Sequence, residues 1–414
     1  MVLGAQQTRF NGPIASRRIV ALQNHVDRRA LPRDDLGAVD PAMPLPGMSL
    51  LLQRTPAQQA ALEKLLAEQQ DPSSPRYRKF LEPEDYADRF GYASADLAKI
   101  QEWLEAQGLI VDNIPRSRNW ITFSGSAAKV ESAFQTRLHR FAGHFANTAN
   151  PSLPSDLAAH VLAIHGLNDF PDAMPLAYEI PQFTNGNSHT LYPGDLATVY
   201  NTNPLLDAGF DGTGQKIAIV GRCNITVADI ATFRASVGLP GNPLETVLPT
   251  GSANPGNKSA GDCNEAYLDI ETAGGVAPGA GIYFVYSNSI LTDLQWIVAN
   301  KSAPVISMSY GSCETQGGNH FFYQALAQQA NSLGITWLTS SGDSGAADCD
   351  AQASAATAKL GLSVGEYPAI PEITGVGGTQ FDESGGTYWS GWLFSGSPSK
   401  EILTIFVNLP RSIL

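Results

Sequence analysis

Between residues 216 and 340, short apolar runs alternate with segments of helical period, and this alternation constrains the fold more than any other feature of the chain. KIAIVG at 216–221, IYFVYS at 282–287, PVISMSYG at 304–311 and ITWLTS at 335–340 read as strands. VADIATFRASVG, the stretch around 262–273, LTDLQWIVAN and NHFFYQALAQQANSLG read as helices, the last closed by Gly334. Strands that are apolar on both faces and spaced by helices predict a parallel sheet covered on both sides, an α/β domain. Ligand chemistry in such sheets gathers at the carboxyl ends of the strands.

The second of those helices, in GDCNEAYLDIETAGGVAPGAGIYFV at 261–285, carries two carboxylates four residues apart, Glu265 and Asp269. On a helix they stack one turn above the other. Ala266, Ile270 and Ala273 form a separate apolar line that seats the helix on a core. Gly274, Gly275, Pro278 and Gly279 are expected to stop it. Two like charges this close cost free energy unless they share a proton, with one of them acting as a base. Asp262 and Glu265 also have capping-box spacing, so Glu265 has a purely structural reading at the helix start. Asp343, in TSSGDSG at the end of a strand, likewise reads either as a turn aspartate or as a site residue. These residues alone leave both alternatives open.

The first half is built differently. Residues 1–45 are polar and Pro-rich and predict an extended arm. MSLLLQR at 48–54 reads as a strand, and residues 55–70 as a helix capped by Thr55 with Pro56 in its first turn. A loop and a short helix fill 71–91, and an amphipathic helix spans 94–108. LIVDNI, NWITFSG, a helix through AAKVESAFQ, and TRLHRF complete a β-α-β-β-α-β order, the pattern of ferredoxin-like domains, so 46–170 predicts one α+β domain. From about 171 to 190 the composition turns Pro-rich and aperiodic, which predicts an exposed linker open to proteolysis.

The net charge of −13 is uneven: residues 190–414 hold 8 Lys and Arg against 19 Asp and Glu. That balance argues against nucleic acid as a partner and suits work in acid, where protonation relieves self-repulsion. No run of eighteen apolar residues occurs, which argues against a membrane span. The four cysteines, Cys223, Cys263, Cys313 and Cys349, have no C-x-x-C spacing and read as disulfides of an oxidising compartment, with four buried thiols as the alternative. The N-terminus has no apolar core of a signal peptide. Metal-ligand spacing and a phosphate-binding glycine loop are both missing, so neither a metal nor a cofactor site is expected from spacing. His320, and His189 at the linker edge, are the histidines available to a second domain, and neither has a Ser or Asp partner in a triad pattern.

Taken together, G-D-C-N-E-A-Y-L-D-I-E with V-A-P-G-A, S-M-S-Y-G-S-C-E, S-S-G-D-S-G and I-T-G-V-G-G-T resemble the sedolisin family of serine-carboxyl peptidases. SSPRYRKFLEPEDYADRFG, AQGLIVD and NWITFSGSAAKVESAFQTRLHRF resemble that family's kumamolisin-type activation propeptide. The resemblance runs from about Pro46 to about Ser390 and implies a subtilisin-like peptidase domain at 191–390 behind the propeptide. It implies an endopeptidase that acts on peptide or protein substrates in acid and is secreted as a precursor, with its own propeptide as inhibitor. By motif, Glu265 is then the general base toward a serine, Asp269 orients Glu265, and protonated Asp343 donates to the oxyanion. The family's calcium ion is implied too, in a region after Ser390, where the divergent tail 391–414 no longer resembles the family. The Gly-Thr-Ser motif of the nucleophile does not occur: Gly212-Thr213, Gly378-Thr379 and Gly386-Thr387 lack the serine. A truncated or frame-shifted precursor, inactive as this chain, is the expectation, with a non-catalytic peptide-binding relic as the alternative and an unrelated α/β adhesion module as a third reading. Cys263, two residues before the base, is expected to pair with Cys223, and Cys313 with Cys349.

Overall fold

The computed structural model describes residues 8–171, 174–175, 193–241, 243–257, 259–315, 320–350 and 357–379. The expected linker is therefore described only at 171 and 174–175, and His189, residues 380–390 and the divergent tail lie outside the described residues.

The first sheet is antiparallel. Its strands are β1 (Pro44–Leu52), β2 (Ile110–Asn113), β3 (Trp120–Ser126) and β4 (Val161–His165), in the spatial order β2-β3-β1-β4. Helix α1 (Pro56–Gln70) starts in a reciprocal capping box between Thr55 and Gln58 with Pro56 in its first turn. Helices α2 (Pro83–Phe90), α3 (Ser94–Ala106) and α4 (Ala127–Phe134) follow. Residues 8–45 do not stand away as an arm: Phe10, Leu22 and Val39 are buried in the core of this domain, and Ile19–Ala21 pairs with Ser152–Pro154.

The last strand of this sheet differs from the expected one. Leu138–Phe141, within TRLHRF, pairs with His144–Asn147 in a separate hairpin, turned at Gly143 with φ +79°. Val161–His165 takes the vacant place beside β1. The reason is local, since a glycine able to adopt positive φ two residues after Phe141 closes a hairpin before the chain can reach the sheet.

The second sheet is parallel, with β5 (Lys216–Gly221), β6 (Leu244–Val247), β7 (Gly281–Tyr286), β8 (Val305–Met308), β9 (Thr336–Ser340) and β10 (Thr374–Val376) in the order β6-β7-β5-β8-β9-β10. Its helices are α5 (Val227–Ser236), α6 (Ala260–Val276), α7 (Ile290–Asn300) and α8 (His320–Ser332). Alternation along the strands sorts the two faces. Ile219, Ile282 and Phe284 pack with Ile230 of α5 and with Ala266 and Ile270 of α6. Ala218, Val220, Val285, Ile306 and Met308 face α7 and α8.

Helix α6 runs through Gly274 and Gly275, which were expected to end it, and stops at Ala277 before Pro278. Gly275 is needed for close approach instead: a Cβ there would lie 2.6 Å from Pro193 Cγ. The Gly274 carbonyl accepts from buried Arg234, whose guanidinium also reaches the carbonyls of Pro240 and Pro278.

The two domains share one core. Leu51, Trp120 and Ala163 of the first sheet, with Leu62, Leu65, Tyr86 and Phe90, pack against apolar residues of α7 and α8. Around them run neutral hydrogen bonds, Ser49 Oγ to Gln295 Oε1 (3.3 Å), Asn119 Nδ2 to Gln329 Oε1 (2.8 Å) and Gln69 Nε2 to the Ser332 carbonyl (3.1 Å). Charged and titratable groups here include Arg54, which reaches Gln328, Lys301, which pairs with Glu82, and His165, which meets Ser289.

Candidate active site

The candidate site lies where the carboxyl ends of β5, β8 and β9 meet α6. The expected strand 304–311 breaks there: β8 ends at Met308, and Tyr310–Gly311 leaves the parallel sheet to pair antiparallel with Met174–Pro175. Tyr310 is matched with Pro175 and Gly311 with Met174. A backbone segment from beyond the first domain thus lies along the edge of the site and against α6.

Helix α6 is capped by Ser259, whose hydroxyl accepts from the Asp262 N–H (3.2 Å). The capping-box reading of Asp262 and Glu265 is thereby overturned, because a serine three residues earlier already fills that position. Asp262 turns to the site instead. Its Oδ1 accepts from Arg222 Nε (3.0 Å) and from Tyr310 Oη (3.2 Å), and the Arg222 N–H donates to the same tyrosine oxygen (3.1 Å).

Glu265 and Asp269 lie one turn apart, as the spacing predicts. Glu265 is 2% exposed, and burial pushes its carboxyl up to about 8, aided by the charges of Asp269, Asp343 and Asp262. Burial raises Asp269 to about 7. One residue opposes both shifts. Ser309, between β8 and Tyr310, donates to Asp269 Oδ1 (2.7 Å), and its hydroxyl works against the rise of both carboxyls. Glu265 Oε2 and Asp269 Oδ2 are buried with no hydrogen-bond partner.

Asp343 follows β9 in a turn made by Gly342, with φ +95°, and Gly345, with φ +55°. A Cβ at Gly342 would lie 2.5 Å from Asp348 Oδ1, so glycine is required there. Burial raises the Asp343 carboxyl, and its charge is felt at Glu265. The structure therefore brings Glu265, Asp269 and Asp343 to one end of the sheet. Disulfides join Cys223 to Cys263 and Cys313 to Cys349, which ties the end of β5 to α6 and the segment after Gly311 to the turn after Asp343. Arg222, Ser309 and Tyr310 were not singled out from sequence. Their only signal was position, since each stands just beyond a strand end.

Among the described residues, no group of three or more His, Cys, Asp or Glu side chains is arranged to hold a metal ion, so nothing there fits the implied calcium. No described helix is long and apolar enough to cross a membrane.

The family model of the Pro-kumamolisin activation domain matches residues 34–170. Kumamolisin of Bacillus sp. (strain MN-32) is 28% identical over 373 residues, which cover 82% of this chain and 64% of kumamolisin. Sedolisin of Pseudomonas sp. (strain 101) is 26% identical over 356 residues, covering 80% of this chain and 59% of sedolisin. Along about four fifths of its length the chain is similar to peptidases of the sedolisin family. It spans less than two thirds of the length of these sedolisin relatives. A solved structure of Pseudomonas sedolisin, a serine-carboxyl proteinase complexed with two molecules of pseudo-iodotyrostatin, overlaps 47% of this chain and 55% of its own at 21% identity and a TM-score of 0.40.

Proposed function

We propose that this sedolisin-family chain carries the acid half of a serine-type endopeptidase that works on peptide bonds at acidic pH, behind its own inhibitory propeptide. Glu265 is the general base toward a serine, Asp269 orients Glu265, and Asp343, protonated, donates a hydrogen bond to the oxyanion of the tetrahedral intermediate. The observation that carries this is the buried pair Glu265 and Asp269, both held toward the protonated form, beneath a strand-paired segment that leaves the first domain. A carboxyl group donates a hydrogen bond only when protonated, so burial that keeps Asp343 neutral suits the oxyanion role.

The same physics gives a latent form. While residues 174–175 lie against α6, Glu265 holds its proton and cannot accept another. Water entering after the segment leaves would lower the proton affinity of Glu265 and make it a base in acid. The order β2-β3-β1-β4 supports reading the first domain as ferredoxin-like. The two disulfides support secretion into an oxidising compartment. Calcium, if the whole protein uses it, belongs to residues after 379 and has no step in this scheme.

Because no Gly-Thr-Ser occurs in these 414 residues, the reading includes that this chain by itself forms no acyl-enzyme. A peptide-binding relic is the second reading, favoured by the same observation. Reading the coding DNA past codon 390 in all three frames tests the choice. Gly-Thr-Ser followed by further family motifs in any frame supports the peptidase with its serine out of register, and its absence from all three supports the relic.

A further inference from the structure

Before residue 34, where the match to the activation-domain model begins, the chain carries an arginine pair that reaches in two directions. Arg28 Nη1 donates to the carbonyl of Thr315 (2.5 Å), in the second domain. Arg29 turns to the start of the segment that leaves the first domain. Its Nη1 donates to the Pro171 carbonyl (2.9 Å), and its guanidinium carbon lies 4.9 Å from the centre of the Phe170 ring. Asp27, 8% exposed, fixes the guanidinium: Oδ1 accepts from the Arg29 N–H (2.9 Å) and Nε (3.0 Å), and Oδ2 from Nη2 (2.7 Å).

The hairpin of residues 138–147 supplies further contacts to the same segment. The Phe170 ring lies 6.1 Å from that of Phe141 and 4.9 Å from that of His144, centre to centre. Asp169 Oδ1 accepts from the Phe145 N–H (2.6 Å), and the Asp169 N–H donates to the Phe145 carbonyl (3.2 Å). The arm is pinned to the first sheet by His25, whose Nε2 accepts from the Ile164 N–H (3.2 Å) and whose carbonyl accepts from Asn147 Nδ2 (2.8 Å). Three residues beyond Pro171, the chain pairs with Tyr310–Gly311 at the edge of the acid site.

We propose that Asp27, Arg28 and Arg29 form a latch, by which the N-terminal arm holds residues 169–171, and with them 174–175, in place beside the acid site. The inference builds on the latent form proposed above. Two residue pairs of antiparallel strand are weak support by themselves, so the position of 174–175 depends on what fixes the chain just before it. An arginine fork already shaped by Asp27 does this with little further loss of side-chain freedom. Arg28, engaged with Thr315, sets the same stretch of arm against the second domain. The arm is therefore part of the cover, and displacing it loosens the segment without unfolding the first sheet.

The test is amide hydrogen exchange in the full 414-residue chain, read by mass spectrometry on peptides covering 169–175, 308–312 and, as a reference, β3 at 120–126. In Arg29→Ala the first two should exchange faster by on the order of tenfold, because a charge-assisted hydrogen bond and a ring contact to the segment are lost. The reference strand should keep the parent's protection. Arg33→Ala, which removes an exposed arginine of the same arm, should behave like the parent throughout. Parent-like exchange at 169–175 and 308–312 in Arg29→Ala would overturn the latch. So would equal loosening in Arg33→Ala, or loosening of 120–126 as large as that of the segment. If Arg29→Ala does not fold, Phe170→Leu, which removes the ring that Arg29 covers, serves in its place, with the same faster exchange expected and parent-like exchange overturning the proposal. Exchange does not depend on turnover, so failure of the peptidase reading, decided by the coding frames, stays distinguishable from failure of the latch.

Discussion

The contact between the two domains and the acid cluster are both buried and both polar, yet they are built on opposite principles. Between the domains, apolar side chains around Trp120 and Tyr86 meet α7 and α8, and the polar links are mostly carboxamides and hydroxyls that do not titrate, such as Asn119 with Gln329. At the acid cluster, four carboxyl groups, Asp262, Glu265, Asp269 and Asp343, converge, and Arg222 engages one of them. The first region can hold at any ordinary pH. The second stores protons, and its state follows pH. Under the proposed function, packing would keep the cover in place and protonation would keep the site latent.

The largest effect expected from breaking this contrast is on packing. Trp120→Ala should destabilise the chain by about 3–5 kcal/mol, because the indole is buried where the first sheet meets α7 and α8. Urea unfolding of the variant checks this, and a loss near zero would mean that the domains do not rely on that core.

Next comes the pH response of the acid cluster. Glu265 and Asp269 bind protons more tightly folded than unfolded, so their contribution is fully present below the unfolded carboxyl range, near pH 4. It is lost as pH rises through about 7 and 8. Fully buried Asp293, also raised by desolvation, acts in the same direction. The melting temperature should therefore fall between pH 4 and pH 8, and Glu265→Gln or Asp269→Asn should flatten the fall. A parent chain that melts at the same temperature across that range would remove the contrast.

The carboxamide link should behave oppositely. Gln329→Ala leaves the buried Asn119 amide without its acceptor and should cost about 1–3 kcal/mol, equally at pH 4 and pH 8. Smallest is Lys301→Ala, which removes an exposed pair with Glu82 and should cost less than about 1 kcal/mol, shrinking as salt is added. Denaturant midpoints at two salt concentrations separate these two cases.

Much of this was legible in sequence where a pattern repeats. β5 coincides with KIAIVG because a buried parallel strand must be apolar on both faces. Glu265 and Asp269 came from helical spacing, and α1 from its capping residues. The failures arose where one residue type serves several ends. Gly274 and Gly275 read as a helix stop, yet Gly275 is there to let Pro193 approach. TRLHRF has strand composition, and only the turn at Gly143 sends it into a hairpin. Ser309 has no spacing signature at all. A lone serine after a strand gains meaning only when α6 is seen to cross beside it.

The central claim is that these 414 residues contain acid machinery without a nucleophile to act on. Intact mass after incubation at about pH 4, near the ordinary carboxyl range, tests it most directly, with Glu265→Ala as the control. The account predicts an unchanged mass for both proteins. Cleavage of the parent between about 169 and 191, absent in Glu265→Ala, would contradict it and show that a working nucleophile is present in this chain.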